Sequence, residues 1–176
     1  MNTTLFFLRS SEQKIAINIL PYALGLDNSI DITPFNLYTS TYGHKSTDVG
    51  IYALTDNEIS GAAWVRLFKE SDGVIAYVDN ATPVLIMGVM PNVRGEQIGS
   101  LIMNQLLQEV AVIYDQISVQ VNSRSVKFYE RLGFELYIDS EKKKIEDTDT
   151  IIMVKKLTKK AITRPTDGYD PRRWMD

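Results

Sequence analysis

Pro83-Val-Leu-Ile-Met-Gly-Val-Met-Pro-Asn-Val-Arg-Gly-Glu-Gln-Ile-Gly-Ser100 is the stretch from which the rest of the chain is read. Val84 to Met90 is a short apolar run of the length a buried strand needs. Pro91 cannot extend a hydrogen-bonded ladder and Gly95 allows tight backbone geometry, so Pro91 to Gln97 reads as a turn. From Ile98 the apolar residues recur at Ile102, Leu106 and Val110, the one-face spacing of an amphipathic helix. A strand passing through a basic, glycine-bearing turn into a helix suits phosphate binding. The first amides of such a helix are unpaired and its dipole end is positive. The turn lacks the Gly-Lys-Ser/Thr ending of a nucleotide P-loop and the three glycines of a dinucleotide fingerprint, which sets both aside.

Outside this stretch the composition is that of an ordinary globular chain. Its 176 residues are 44% hydrophobic and 23% charged, enough to bury a core without staples. The net charge of −3 argues against a broad nucleic-acid-binding face, while leaving room for a local basic pocket. There are no cysteines, which excludes disulfides, a thiolate nucleophile and Cys-type zinc sites and fits the cytoplasm. A single histidine, His44, rules out a His-rich metal site, so no metal is expected. Leu5 to Leu8 is too short for a signal-peptide core, and no run approaches membrane-spanning length.

Taken in order, Thr3 to Leu8 is a strand candidate. Ser10 to Gln13 matches a capping box before a helix that carries Ile15, Ile19 and Ala23 inward, with Pro21 expected to kink it and Gly25 to stop it. Leu26 to Asp48 reads as one short helix between loops, with Phe35, Tyr38 and Tyr42 available to a ligand site or to the core. Val49 to Leu54 and Ile59 to Phe68 form a hairpin about Thr55–Glu58, the second strand apolar on both parities. Val74 to Val78 is a further short extended run. Gln116 to Val121 alternates strictly, with Ser118 and Gln120 opposite Ile117, Val119 and Val121. Asn122-Ser123 then caps a short helix with Val126, Tyr129 and Leu132 on related faces, stopped by Gly133. Phe134 to Ile138 and Thr150 to Val154 are closing strands around the charged loop Ser140 to Asp149. Residues 1–157 read as one domain and 158–176 as a polar tail, either a flexible appendage or one that docks through Trp174 and Met175.

Two segments together carry a family resemblance. Arg94-Gly-Glu-Gln-Ile-Gly99 resembles the Arg/Gln-x-x-Gly-x-Gly/Ala pyrophosphate loop of the GNAT superfamily of acyl-CoA-dependent N-acyltransferases, with Gln97 at the first glycine position. Asn122-Ser-Arg-Ser-Val-Lys-Phe-Tyr-Glu-Arg-Leu-Gly-Phe134 resembles the family's Asn-x-x-Ala-x-x-Phe/Leu-Tyr-x-x-x-Gly-Phe segment, with Ser125 at the alanine position. Both occur in the family's order, one helix and one strand apart. The resemblance spans Thr3 to Leu157 and implies an α/β (α+β) fold, a mixed and mostly antiparallel central sheet flanked by helices in β-α-α-β-β-β-α-β-α-β-β order.

The resemblance also implies chemistry. In the family the strand equivalent to Val84–Met90 carries a bulge and splays from the next, and acetyl-CoA lies in the gap. Met87, Gly88 and Val89 would contact the pantetheine arm, the Val89 amide facing the thioester oxygen. Arg94, Gly95, Glu96, Gln97, Ile98, Gly99 and Ser100 would hold the pyrophosphate. Glu96 turns its side chain outward, and Gln97 takes an unstrained helical φ. Asn122 would cap the short helix and contact the cofactor arm, and Tyr129 would protonate the departing thiolate. For the base, Asp79, His44 and a water chain stay open. The acceptor is a primary amine of a small molecule or peptide, its pocket drawn from Trp64, Phe35, Tyr38 and Tyr42. A non-catalytic acyl-CoA-binding module and a protein N-terminal acetyltransferase are the alternatives. Exposed strands near the C-terminus leave a homodimer open.

Overall fold

The structure is a computed structural model and describes residues 2–25, 33–137, 151–165 and 171–174. Seven strands form one sheet: β1 (Thr3–Phe7), β2 (Val49–Thr55), β3 (Glu58–Arg66), β4 (Val84–Val89), β5 (Gln116–Val121), β6 (Glu135–Leu136) and β7 (Ile151–Lys156), in the order β1-β2-β3-β4-β5-β7-β6. All neighbours are antiparallel except β4 and β5. The helices are α1 (Gln13–Ala23), α2 (Ile98–Val110) and α3 (Val126–Arg131). This is the mixed, mostly antiparallel sheet flanked by helices that the resemblance implies.

Apolar residues on both parities of β3 bury it on both faces. Ala63 and Val65 join Leu5, Ile51 and Leu85 beneath α2, whose Ile98, Ile102, Leu106 and Val110 face the sheet as their spacing predicts. Ala62 and Trp64 point the other way, into a second core with Ala16, Ile19 and Leu20 of α1. The β2–β3 hairpin turns through Asp56 and Asn57, both at positive φ (51° and 69°), as a right-twisted two-residue hairpin requires.

Helix α1 turns Ile15, Ile19 and Ala23 inward as expected: Ile19 is buried with Ala16 and Leu20, and the half-buried Ile15 and Ala23 pack against the same core. Several other expectations need correction. Pro21 sits inside its last turn without ending it. Leu24 N–H still bonds Leu20 O (3.1 Å), and Gly25 stops the helix at φ 68°. The Ser10/Gln13 capping box is not formed: Glu12 accepts from Arg9 N–H (3.1 Å), and the Gln13 amide reaches Thr39 O (2.8 Å). Val74–Val78 is irregular and not a strand. Strand β4 carries no bulge, because its register with β3 runs unbroken from Gly61↔Val89 to Arg66↔Val84. The shift lies instead at Ala53/Leu54 of β2. In the segment after α1, Thr33–Tyr38 forms a 3-10 turn; residues 26–32 and the charged loop from Ser140 to Asp149 lie outside the described residues.

The C-terminal residues contact the fold. The Arg164 guanidinium makes two bonds to Glu109 (2.9 and 3.0 Å) and lies 5.4 Å from both the Phe7 and Trp174 rings. Trp174 is buried, edge-on to Phe7, and Arg173 Nε donates to Leu5 O (2.9 Å) on the edge strand. Met175 lies outside the described residues.

Candidate active site

Strands β4 and β5 pair only at Val84↔Ser118 and Leu85↔Val119, then diverge. Met90 N–H bonds Ser60 O on β3 (2.8 Å). In an antiparallel ladder bonded and non-bonded pairs alternate, so Ala62↔Gly88 is a bonded pair and the flanking pairs Ala63↔Met87 and Gly61↔Val89 are not. The N–H and C=O groups of Met87 and Val89 therefore point away from β3 into the gap, where β5 no longer meets them. Gly88 does a different job. Its backbone groups face β3, and a Cβ there would lie 2.8 Å from both Ala23 N and Ile19 Cγ2. Gly88 lets α1 approach the strand, and it also lines the cleft between Met87 and Val89, where its expected contact with the cofactor arm would fall.

The gap is a cleft of about 650 Å³ joined to a second of about 310 Å³. Both reach Met87, Gln120, Asn122, Arg124 and Tyr129. The larger opens onto the head of α2, lined by Arg94, Gly95, Gln97, Ile98, Gly99 and Ser100. Leu101 N–H makes the first bond at that end, to Gln97 O (3.1 Å). The amides of Ile98, Gly99 and Ser100 therefore have no acceptor within the helix. The amides of Arg94 and Glu96 are spent inside the turn, on Pro91 O and Val93 O (each 3.4 Å). Arg94 instead lines the cleft with its side chain, whose Nε donates to Val89 O (3.3 Å). Glu96 is exposed and off the cleft wall, so neither its amide nor its carboxylate serves a ligand there.

Gln97 departs from expectation. It adopts φ 62° and ψ 18°, the left-handed region, at the N-cap of α2. The family motif has glycine at this position, and glycine alone enters that region at no steric cost. The backbone keeps the glycine conformation although the glycine is missing.

Asn122 ends β5 in extended geometry and its side chain accepts from Ser125 N–H (3.1 Å), capping the turn into α3. That turn sets Tyr129 against Phe128 and Phe134, both edge-on, at ring distances of 5.1 and 5.3 Å. Tyr129 is 5% exposed, and what it exposes lies where the two parts of the cleft meet. Burial pushes its phenol well above the ordinary tyrosine value, because the phenolate would lose its hydration. The proton is therefore held throughout the neutral range.

Three guanidinium groups, Arg94, Arg124 and Arg131, line the larger part, and no Asp or Glu does so among the described residues. A chain of net charge −3 thus places a positive wall around one cleft. Neither side-chain base candidate is there. Asp79 is an exposed turn residue accepting from Ala81 N–H (2.8 Å), beside Thr82, Asp115 and Gln116, where β4 and β5 begin. His44 is exposed in the turn before β2, at that same end of the sheet. Tyr129 follows the other end of β5, a strand length of about 20 Å away. Both assignments are corrected by this separation. Among the described residues, no three His, Cys, Asp or Glu side chains gather as a metal site.

Of the four aromatics proposed for the acceptor pocket, Tyr38 lines the smaller part of the cleft. Trp64 and Tyr42 are core residues, donating to Tyr38 O (2.8 Å) and Leu8 O (3.1 Å). Phe35 stacks on Tyr38 (6.2 Å). Sequence reasoning missed Tyr22, Ala23, Gly25, Gln120, Arg124 and Arg131 as wall residues. Arg124 and Arg131 stand seven apart across the short helix, a same-face spacing that could have revealed them. Gln120 was marked by its polar parity in β5, whereas nothing local singles out the end of α1.

The family model described as an acetyltransferase (GNAT) domain matches residues 48–136. Among solved structures, a GNAT phosphinothricin acetyltransferase from Sinorhizobium meliloti in complex with acetyl-CoA aligns at TM-score 0.64 and 20% identity, covering 98% of this chain and 97% of that one. The ribosomal-protein-S18-alanine N-acetyltransferase of Escherichia coli aligns at 0.62 and 14%, covering 96% and 100%. Salmonella typhimurium yncA, solved with acetyl-CoA, aligns at 0.65 and 15%, covering 93% and 99%. No curated protein matches the sequence significantly. At these identities the structural likeness speaks for the fold, whereas the family model covers just over half of the chain: the protein belongs to the GNAT family of acetyltransferases.

Proposed function

We propose that the protein transfers the acetyl group of acetyl-CoA to a primary amine held in the same cleft, by direct attack, with residues 1–157 as the catalytic unit and the cytoplasm as its setting. One observation carries this reading. The backbone groups of Met87 and the N–H of Val89, turned away from β3 and no longer met by β5, open onto the free amides at the head of α2, within a wall bearing Arg94, Arg124 and Arg131. An extended arm can add to β4 as an extra strand, while phosphates meet helix amides and guanidinium groups.

Acetyl-CoA supplies an activated thioester, and the chain's own groups do the rest. The Val89 N–H is a preorganised donor for the oxyanion, a contribution on the order of 3 kcal/mol. The amine enters neutral, its nitrogen bonds the acyl carbon and the carbon–sulfur bond breaks. Tyr129 gives its proton to the departing sulfur and regains one from water. The proton lost by the new amide leaves through water, since the described cleft residues include no carboxylate or histidine. The neighbours include enzymes named for a small molecule and for a protein alanine at similar TM-scores, 0.64 and 0.62. The acceptor must therefore be read from the cleft and not from the fold.

Isothermal titration with acetyl-CoA tests this. Saturable binding is expected, with Arg94→Ala and Arg131→Ala each weakening it by about 3–10-fold, the range of one exposed charge-assisted contact. No binding at millimolar ligand would contradict the reading.

A further inference from the structure

The two parts of the cleft differ in how their charge can be used. Arg94 and Arg131 border only the larger part, with the head of α2, whereas Arg124 borders both. Among the described residues around the smaller part, Arg124 is the only charged side chain. In the acyl-transfer reading the phosphates lie at the larger part, so a positive charge beside the smaller part is surplus to them. Neighbouring polar side chains are already committed. Ser118, on the same parity of β5 as Gln120, donates to Ala76 O (2.7 Å), and the Asn122 side-chain oxygen caps the turn into α3. Gln120 also borders both parts. Among the described residues, neither its side chain nor that of Arg124 has a hydrogen-bond or ion-pair partner. Together they leave a planar fork of N–H donors and a primary amide uncommitted. Arg124 stands five residues before Tyr129 across the turn and first helical residues of α3, a rise of roughly 8 Å. A group bound at Arg124 and a nitrogen reacting beside Tyr129 therefore fit within one small molecule.

We infer that the acceptor is an amino acid, its amine acetylated beside Tyr129 while its carboxylate is held by Arg124, with the Gln120 amide donating to the same oxygens. A carboxylate only accepts hydrogen bonds, and it matches the guanidinium fork with two parallel ones. An oligoamine meets the opposite field. It would bring further positive charge beside Arg124, with no Asp or Glu among the described residues of either part to receive it. Arg124 is exposed in the open cleft; substrates filling that cleft displace water from around the pair, which strengthens its attraction. The inference rests on the acyl-transfer reading of the cleft and names the class of amine it would take.

The test is steady-state acetylation of two matched pairs, 4-aminobutyrate with butylamine and leucine with 3-methylbutylamine, and of spermidine. Values of kcat/KM are expressed per neutral amine, and acetyl-CoA affinity is measured separately by titration. In at least one pair the acid should exceed its amine by about tenfold or more, the scale of a hydrogen bond to a charged group. Arg124→Gln should bring that ratio to within about threefold of unity, and Gln120→Ala should lower it by about threefold. The ratio separates the roles, because a loss of stability or of phosphate binding would lower both members of a pair alike. Equal use of acid and amine by the wild-type protein, preference for spermidine, an unchanged ratio in either variant, or no turnover of any of these amines by a protein that binds acetyl-CoA would each overturn the inference. A wild-type protein that does not bind acetyl-CoA would overturn it together with the reading beneath it.

Discussion

Gln97 shows how backbone geometry can outlast the residue that justified it. A β-carbon in the left-handed region costs roughly 1–2 kcal/mol, and Gln97 pays this at φ 62° because the turn must still deliver the first amides of α2 to the cleft. Replacing it with glycine removes the clash, offset in part by the larger entropy of an unfolded glycine. Gln97→Gly should therefore gain about 0.5–1 kcal/mol, seen as a rise of roughly 1–4 °C in Tm for a chain of this size. Acetyl-CoA affinity should be equal or better. A lower Tm would show that the glutamine side chain makes a contact worth more than the strain. The sequence marked the position, since glutamine stands where the motif has glycine. The local pattern suggested a helical φ, because only the three-dimensional path of the turn shows that the chain must reverse there.

At the scale of elements, the cleft exists because β4 keeps its full pairing with β3 while losing β5 after two residue pairs. The end of α1 closes one wall by packing on Gly88, where any side chain would meet Ala23 N and Ile19 at 2.8 Å. Gly88→Ala should force α1 outward at a cost of about 1–3 kcal/mol, lowering Tm by roughly 3–10 °C. Acetyl-CoA binding should weaken as well, because Tyr22, Ala23 and Gly25 move with the helix. An unchanged Tm would mean that the helix yields freely there. Most elements could be read in advance from period and punctuation. The two-residue spacing of β5, the spacing of Ile98, Ile102, Leu106 and Val110, and the hairpin residues Asp56-Asn57 each encode local geometry. The wall formed by α1 could not be read, because it follows from how a helix settles on a distant strand. The positions of Asp79 and His44 were hidden for the same reason. Both are chemically suitable bases, and only the strand order places them a strand length from Tyr129.

For the whole molecule, the C-terminal residues cover the edge strand β1. Leu5↔Ala53 is a non-bonded pair of the β1–β2 ladder, since Leu8 N–H bonds Gly50 O. The Leu5 carbonyl therefore faces outward, where Arg173 meets it. Uncovered edges invite pairing with another chain. Trp174 and the Arg164–Glu109 pair thus block that edge as well as burying apolar surface. Trp174→Ala should cost about 1–3 kcal/mol, less than a fully locked core tryptophan because the segment can release without global unfolding. It should also speed proteolysis at Lys159 and Lys160, and leave kcat unchanged because the tail lies on β1, remote from the β4–β5 cleft. Unaltered proteolysis would show that the segment does not hold the edge. The composition of the tail pointed to an appendage, and only Trp174 and Met175 hinted at a docking site.

The most direct test of the account is the kinetics of Tyr129→Phe, followed by thiol release between about pH 7 and pH 9, where the buried phenol of the parent protein keeps its proton. Removing one hydroxyl leaves the ring packed against Phe128 and Phe134. The account predicts that kcat falls by about 10²-fold or more, while the dissociation constant for acetyl-CoA stays within about threefold. An unchanged kcat would contradict it, since the proton for the departing sulfur would then come from elsewhere.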